Sequence, residues 1–239
     1  LDEQALIAEA QGIATEIDLF LKDREESVLS KLVAIGGTMQ EESFEVQAKV
    51  RVDDLEPVLK ALNQPGIEIV RKRHYHEYDT YFRQADPSQG RLRYREDEFI
   101  SDNGEITNVR SRLTLIGESG EKSHLNGEEI MLSRSRYLAP ATQSLRFYRE
   151  YFKPVAIEEI VKDRRRFLIK FEGTEFFVNL DDVTKPNLGK FVEIKSRTWS
   201  RQDAQLKVSL MQKLLETLGL ASQPLVTKDY IYLVEEGEE

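Results

Sequence analysis

Residues 43–52 read Ser-Phe-Glu-Val-Gln-Ala-Lys-Val-Arg-Val, and they alternate strictly. Phe44, Val46, Ala48, Val50 and Val52 fall on one side of an extended chain, and Glu45, Gln47, Lys49 and Arg51 on the other. A period of two does not suit a helix, so this stretch is predicted to be a β-strand with one apolar and one charged face. The pattern returns at least four more times, among them at 91–96, 109–116, 157–171 and 191–197. A chain built this way is organised around a shared charged surface, and function is expected there.

The rest of the chain supplies the frame. Leu6, Ile13, Phe20 and Ser27/Val28 recur at seven-residue steps, with Ala10 and Ile17 in the same stripe, so 1–36 is predicted helical up to Gly36-Gly37. Residues 1–40 are therefore a helical extension, or a linker to a neighbouring or fused domain. Asp53 is placed to cap a helix at 55–62, closed by Pro65-Gly66. Strands are expected at 67–82, 91–96, 109–116, 157–171, 174–181 and 191–197, with a hairpin loop at Asp102-Asn103-Gly104. Gly117 to Gly127 reads as a polar loop, followed by a short strand from Glu128 to Leu132. Helices are expected at 140–152 and from Ser200 to Leu218, with a closing strand from Tyr230 to Val234. Residues 41–236 then form one α+β domain with a large antiparallel sheet.

Composition narrows the function classes. The net charge is −9 over 239 residues, which argues against a generally basic nucleic-acid surface and against sequence-specific nucleic-acid binding. An anion site must therefore be local. The chain has no cysteine, which excludes disulfides and thiolate metal sites and fits a reducing compartment. No apolar run approaches membrane-spanning length and no signal peptide is visible, so a cytoplasmic protein is expected. His74 and His76 alternate on a strand with no third ligand nearby in sequence, and read as polar strand positions rather than a zinc site. Phe147, Tyr148, Tyr151 and Phe152 sit at helical spacing and read as core, and Trp199 as packing at a rim.

Strand parity collects the charged face as Glu45, Lys49 and Arg51; Arg91, Arg93 and Arg95; Arg110 and Arg112; Lys162, Arg164 and Arg166; and Glu193, Lys195 and Arg197, with Asp181 ending a further strand. A solvent-facing sheet surface explains any one strand taken singly. It does not explain the abundance of arginine, because like charges facing each other across strands destabilise a sheet. A bound polyanion relieves that repulsion, since guanidinium forks grip phosphate oxygens two at a time. The few acids would suit a divalent cation bridging the same oxygens.

The opening strand resembles the Glu-x-Glu-x-Lys strand of the CYTH, or triphosphate tunnel metalloenzyme, superfamily. The resemblance continues in order through Tyr-Asp-Thr-Tyr-Phe at 78–82, Arg-Leu-Arg-Tyr-Arg at 91–95, Arg-Leu-Thr-Leu at 112–115 and Val-Lys-Asp-Arg at 161–164. It then runs through Val-Asn-Leu-Asp-Asp-Val at 178–183, Leu-Gly-Lys-Phe-Val-Glu-Ile-Lys at 188–195, and Leu-Gly-Leu at 218–220 with Lys-Asp-Tyr at 228–230. It implies an eight-stranded antiparallel barrel forming a tunnel, with peripheral helices, that binds a triphosphate compound or polyphosphate with Mg2+ or Mn2+.

Carried over residue by residue, the resemblance implies Glu45, Lys49 and Glu193 as catalytic. It implies that Lys49, Arg93, Arg95, Lys162 and Arg164 grip phosphates, and the charged parity of the strands adds Arg51, Arg110, Arg112, Arg166, Lys195 and Arg197 to the expected substrate-binding set. Metal ligands would be Glu45, Asp181 and Glu193, with Gln47 and Glu129 as further candidates. Two departures stand out: Gln47 replaces a glutamate of the opening strand, and Lys195 replaces the second acid of a Glu-x-Glu. The expected function is a metal-dependent triphosphatase. The alternative is a weak or inactive triphosphate-binding module that regulates an attached domain, and the weaker alternative is an adenylyl cyclase. A homodimer is a further expectation.

Overall fold

The computed structural model describes residues 7, 11–14, 27–125 and 128–237. Eight strands follow one another in the chain: β1 (Thr38–Val52), β2 (Ile67–Arg83), β3 (Arg91–Ile100), β4 (Ile106–Leu125), β5 (Glu128–Pro140), β6 (Ala156–Phe171), β7 (Thr174–Lys185) and β8 (Gly189–Thr198). Their order around the sheet is β1-β5-β4-β3-β2-β6-β7-β8, antiparallel throughout. Because β1 pairs with β5 along one side and with β8 along the other, the ring of hydrogen bonds closes into a barrel. Among the described residues, closure leaves none of the eight strands at a sheet edge.

The alternation seen in the sequence is read out with the apolar faces outward. Val46, Ala48 and Val50 of β1, Val178 and Leu180 of β7, and Val192 and Ile194 of β8 form one buried cluster outside the barrel wall. Two helices cover it: α2 (Glu56–Ala61) with Val58 and Ala61, and α4 (Arg201–Thr217) with Ala204, Leu210, Met211, Leu214 and Leu215. Ser200 starts α4 as expected, its side chain accepting from the backbone N–H of Asp203. A second cluster joins Phe82, Leu92, Tyr94, Leu113 and Leu115 to α1 (Val28–Ala34) and α3 (Leu145–Phe152), through Val28, Leu32, Tyr148 and Phe152. The hydrophobic core is thus a sleeve around the barrel, which frees the bore for polar groups.

A third cluster lies at one end of the bore. Tyr81, Ile160, Val183 and Phe191 sit at the inward parity of their strands and pack against Tyr230 and Ile231 of α5 (Tyr230–Gly237). Phe191 and Val183 are wholly buried, so this end is filled with apolar side chains.

Several expected elements are revised. Residues 117–125 are not a loop: β4 continues to Leu125 and β5 runs from Glu128 to Pro140, with Gly117 opposite Ser135. Pairing along a long hairpin overrides the weak local strand signal of a Gly- and Ser-containing stretch. The helix expected from Pro140 therefore begins only at Leu145, capped by Ser144. Asp53 does not cap α2: the N-cap position is Leu55, which makes no side-chain cap bond, and the carboxylate that accepts from Glu56 N is that of Asp54. The expected strand at 230–234 is helix α5, with the carbonyl of Asp229 accepting from Tyr232 N and Leu233 N. Among the described residues, strand contact in that region is a bridge between Val50 and Leu225. Most of the heptad stripe of 1–26 lies outside the described residues. Among the described residues no helix is long and apolar enough to cross a membrane.

The sleeve predicts a sharp contrast along α4. Leu214 is fully buried against the barrel wall, whereas Leu206 is 55% exposed. Leu214→Ala is expected to cost about 2–5 kcal/mol and to lower the urea midpoint at unchanged slope, while Leu206→Ala stays within about 0.5 kcal/mol.

Candidate anion site in the barrel

The inward side chains surround a cavity of about 400 Å³, within the range of small-molecule sites. Eleven lysines and arginines line it against three carboxylates, Glu45, Glu193 and Asp229, so the local charge is strongly positive although the chain is acidic overall.

A second rank of acids holds these cations in place. Glu77, Asp79, Asp97 and Asp181 are each at most 2% exposed. Asp79 and Arg95 are direct partners across β2 and β3, and Arg164 and Asp181 across β6 and β7. Arg95 donates from Nε and NH2 to the two oxygens of Asp79 at 2.5 and 2.6 Å, and Lys162 adds a bond to Asp79 at 2.9 Å. Arg164 makes the same two-pronged contact with Asp181 at 2.6 and 2.5 Å, and the Tyr230 hydroxyl donates to Asp181 at 2.6 Å. Glu77 lies 3.1, 3.2 and 3.4 Å from Arg95, Lys162 and Arg164. Fork geometry with carboxylates on the same ladder is how a barrel can hold guanidinium groups rigidly inside.

The titration behaviour follows from this arrangement. Burial opposes ionisation of Glu77, Asp79 and Glu193, but the surrounding cations override it: Arg164, Arg95 and Lys162 for Glu77, Arg95 and Lys162 for Asp79, and Lys195 and Lys49 for Glu193. All three carboxyls are held well below the usual range. Arg95 and Arg164 are raised, burial being outweighed by Asp79 and by Asp181 respectively. Other cations lack that compensation. Burial pulls Lys49 down against the opposing pull of Glu193, burial and then Arg164 pull Arg166 down, and burial and then Arg95 bring Arg112 to about 10. These three gain most from an incoming anion.

Hydrogen bonding points the same way. Arg91 Nε and NH1, and Arg93 Nε, are buried without a hydrogen-bond acceptor among the described residues. Arg91 is anchored through NH2 to Asp229 at 2.6 Å, and Arg93 Nε approaches Asp79 only to 3.5 Å. Both arginines line the cavity, and buried donors of this kind are costly unless something accepts from them.

Of the residues predicted from sequence, Glu45, Lys49, Arg93, Arg95, Arg112, Lys162, Arg164, Arg166, Glu193, Lys195 and Arg197 are brought together around the cavity. Arg51 is not: it is exposed, with its guanidinium 5.1 Å over the Phe191 ring, level with the filled end. Arg110 is half exposed and turned onto Asp97 at 2.7 Å, outside the lining. Asp181 stands behind the lining, engaged by Arg164 and Tyr230. Gln47 is buried but outside the lining, and its Oε1 has no hydrogen-bond partner among the described residues. The side chain of Glu129 lies outside the described residues.

The sequence reading missed other members. Glu77, Asp79 and Tyr81 share one parity within the 67–82 strand, so that signal was available. Arg136 donates to Glu45 at 2.5 Å from the part of β5 beyond Leu132. Asp229 and Tyr230 reach the cavity only because α5 folds onto the barrel end; Lys49 Nζ there donates to the Lys228 carbonyl at 2.8 Å and sits 4.3 Å over the Tyr230 ring.

The acids do not fit a hard divalent cation. Such ions take several converging oxygens. Here the Lys195 ammonium sits between the two lining acids of β1 and β8, 3.5 Å from Glu45 Oε1 and 3.1 Å from Glu193 Oε1. Glu45 Oε2 accepts from Arg136 and Arg197, and Glu193 Oε2 from Asn179 and Arg164. Among the described residues, no three carboxylate or imidazole groups converge inside the barrel. One group of metal-ligating type does form, outside the wall, where Asp163 supplies the third member beside His74 and His76 that sequence proximity could not reveal.

No family model matches the chain. A protein of Methanocaldococcus jannaschii that carries the name "putative adenylate cyclase" is 23% identical over 196 residues, covering 80% of this chain and 98% of that protein. Among solved structures, the PH1819 protein of Pyrococcus horikoshii superposes with a TM-score of 0.57 at 22% identity, covering 81% of this chain and 99% of that one. A Vibrio parahaemolyticus protein, also called a "putative adenylate cyclase", gives 0.54 at 16%, with 82% and 99% covered. The likeness to these structures is one of fold.

The charge ladder makes stability depend on acid. Carboxyls held low when folded contribute fully above the unfolded value of about 4, and that contribution is lost as pH falls through and below it. Asp79→Asn, which strands buried Arg95 and Lys162, is expected to cost about 3–5 kcal/mol at pH 7. In urea melts the gap to the native chain should narrow from pH 5 to pH 3; a constant gap would show that Asp79 is not held ionised.

Proposed function

We propose that the barrel of this protein binds the triphosphate part of a small molecule, or a short polyphosphate, through its own arginines and lysines, and that the chain is a CYTH-type module of weak or no catalytic activity. The observation that carries this reading is the set of buried, unaccepted N–H donors of Arg91 and Arg93 within a cavity lined by eleven cations and three carboxylates. One phosphate brings about two charges. A chain of three matches the lining's excess better, and the guanidinium groups suit its oxygens.

The metal-dependent triphosphatase reading asks for divalent ions at Glu45, Asp181 and Glu193. Those oxygens are engaged by Lys195, Arg136, Arg197, Arg164, Asn179 and Tyr230, so no reaction step is assigned through a metal. Turnover of a nucleoside triphosphate is the second reading, favoured by the names of the M. jannaschii and V. parahaemolyticus proteins.

Calorimetric titration with tripolyphosphate and with ATP, paired with assays for phosphate and cyclic nucleotide release in Mg2+ and Mn2+, separates the readings. Binding without turnover is expected. Absence of binding under every condition overturns the proposal, and product release moves the protein to the second reading. Arg93→Gln should weaken tripolyphosphate binding by about 10- to 100-fold. Near pH 9–10 binding should take up protons, because an anion raises the depressed Lys49 and Arg112, the latter from about 10; titration in two buffers of different ionisation enthalpy measures this uptake.

A further inference from the structure

On the outer face of the barrel, three strands bring together a group that the anion site does not use. His76 of β2 lies directly opposite Glu98 on β3 and opposite Asp163 on β6. His74 stands two residues earlier on the same face. Both imidazoles aim at one oxygen: His74 Nε2 is 2.7 Å and His76 Nε2 3.3 Å from Asp163 Oδ2. All three ligand atoms lie within 4.8 Å of one another. Ligands bound about 2.1 Å from a tetrahedral zinc stand about 3.4 Å apart, so small side-chain rotations suffice to seat an ion between them.

A supporting group is also in place. Glu98 Oε2 is 3.6 Å from His76 Nδ1, the ring nitrogen turned away from Asp163, and it accepts from the Tyr78 hydroxyl at 3.2 Å. A carboxylate on the far nitrogen is the usual way that a metal-binding histidine is oriented. Arg165, the register partner of His74 on β6, points instead towards Glu56 at 3.8 Å. The three side chains are about one-third to two-fifths exposed, which leaves a further position open to water.

We infer that His74, His76 and Asp163 form a binding site for a divalent transition metal of zinc type, on the outside of the barrel and independent of the anion cavity. Two imidazoles and one carboxylate select borderline ions over Mg2+ or Ca2+, which prefer all-oxygen sites. A bound ion would tie β2 to β6 from behind, on the same strands whose inner faces carry Glu77, Asp79, Lys162 and Arg164.

The test is titration of the chelator-stripped full chain with ZnCl2, CoCl2 and MgCl2, followed by calorimetry and by the visible absorption of Co2+. One Zn2+ per chain should bind, Co2+ should give a tetrahedral spectrum, and Mg2+ should not compete. His74→Ala and His76→Ala should each weaken Zn2+ binding at least tenfold. On the native chain, Zn2+ should shield His74 and His76 from diethyl pyrocarbonate, a readout that needs no variant. Absence of Zn2+ binding below millimolar concentration, unchanged binding in both variants, or no shielding of His74 and His76 would each overturn the inference.

Discussion

The structure depends on the pairing of buried guanidinium and ammonium groups with buried carboxylates on neighbouring strands. Arg95 with Asp79, Arg164 with Asp181, and Lys162 shared between Asp79 and Glu77 form a ladder inside the barrel wall. Removing such charges from water is expensive, and only complete pairing with good hydrogen-bond geometry offsets it. Each acid is aimed by the strand register at the cation opposite it, so the closed ladder of backbone bonds and the ladder of charges support each other. Placing charge in the bore also decides where the apolar surface goes. It turns outward, and α1 to α4 cover it.

The same ladder divides the cations by role. Arg95 and Arg164 are held by two-pronged pairing with Asp79 and Asp181 and form fixed parts of the cavity lining. Lys49, Arg112 and Arg166 carry charge that burial disfavours, and Arg91 and Arg93 keep unaccepted N–H groups. An anion entering the barrel meets donors already oriented, which reduces the ordering cost of binding. Lys195 is the residue that most distinguishes this barrel from a metal-dependent one. Its ammonium stands between Glu45 and Glu193, so a covalently attached cation takes the place where two acids would otherwise share a mobile ion. Opposite it in register, Gln47 is neutral and adds no second acid beside Glu45.

Much of this was legible in the chain. The alternation at 43–52 announces a strand with a charged face, because period two is a local property of extended backbone. The arginine-rich parity at 91–95 and 162–166 announces a face on which repulsion has to be answered by something, and Glu77, Asp79 and Asp181 answer much of it. The charge sign and the absence of cysteine also follow from residues alone.

Tertiary structure decided the rest. Whether the charged face looks to water or into a bore depends on β1 pairing with both β5 and β8, which no local pattern encodes. Arg51 and Arg110 share the parity of the site residues yet miss the cavity, because position along the barrel axis is set by the whole register. Asp229 and Tyr230 join through a helix that forms where an apolar run has a barrel end to dock on. Asp163 meets His74 and His76 across 89 and 87 residues of chain. Side-chain type and alternation are written residue by residue, whereas convergence belongs to the hydrogen-bonded register of strands distant in sequence.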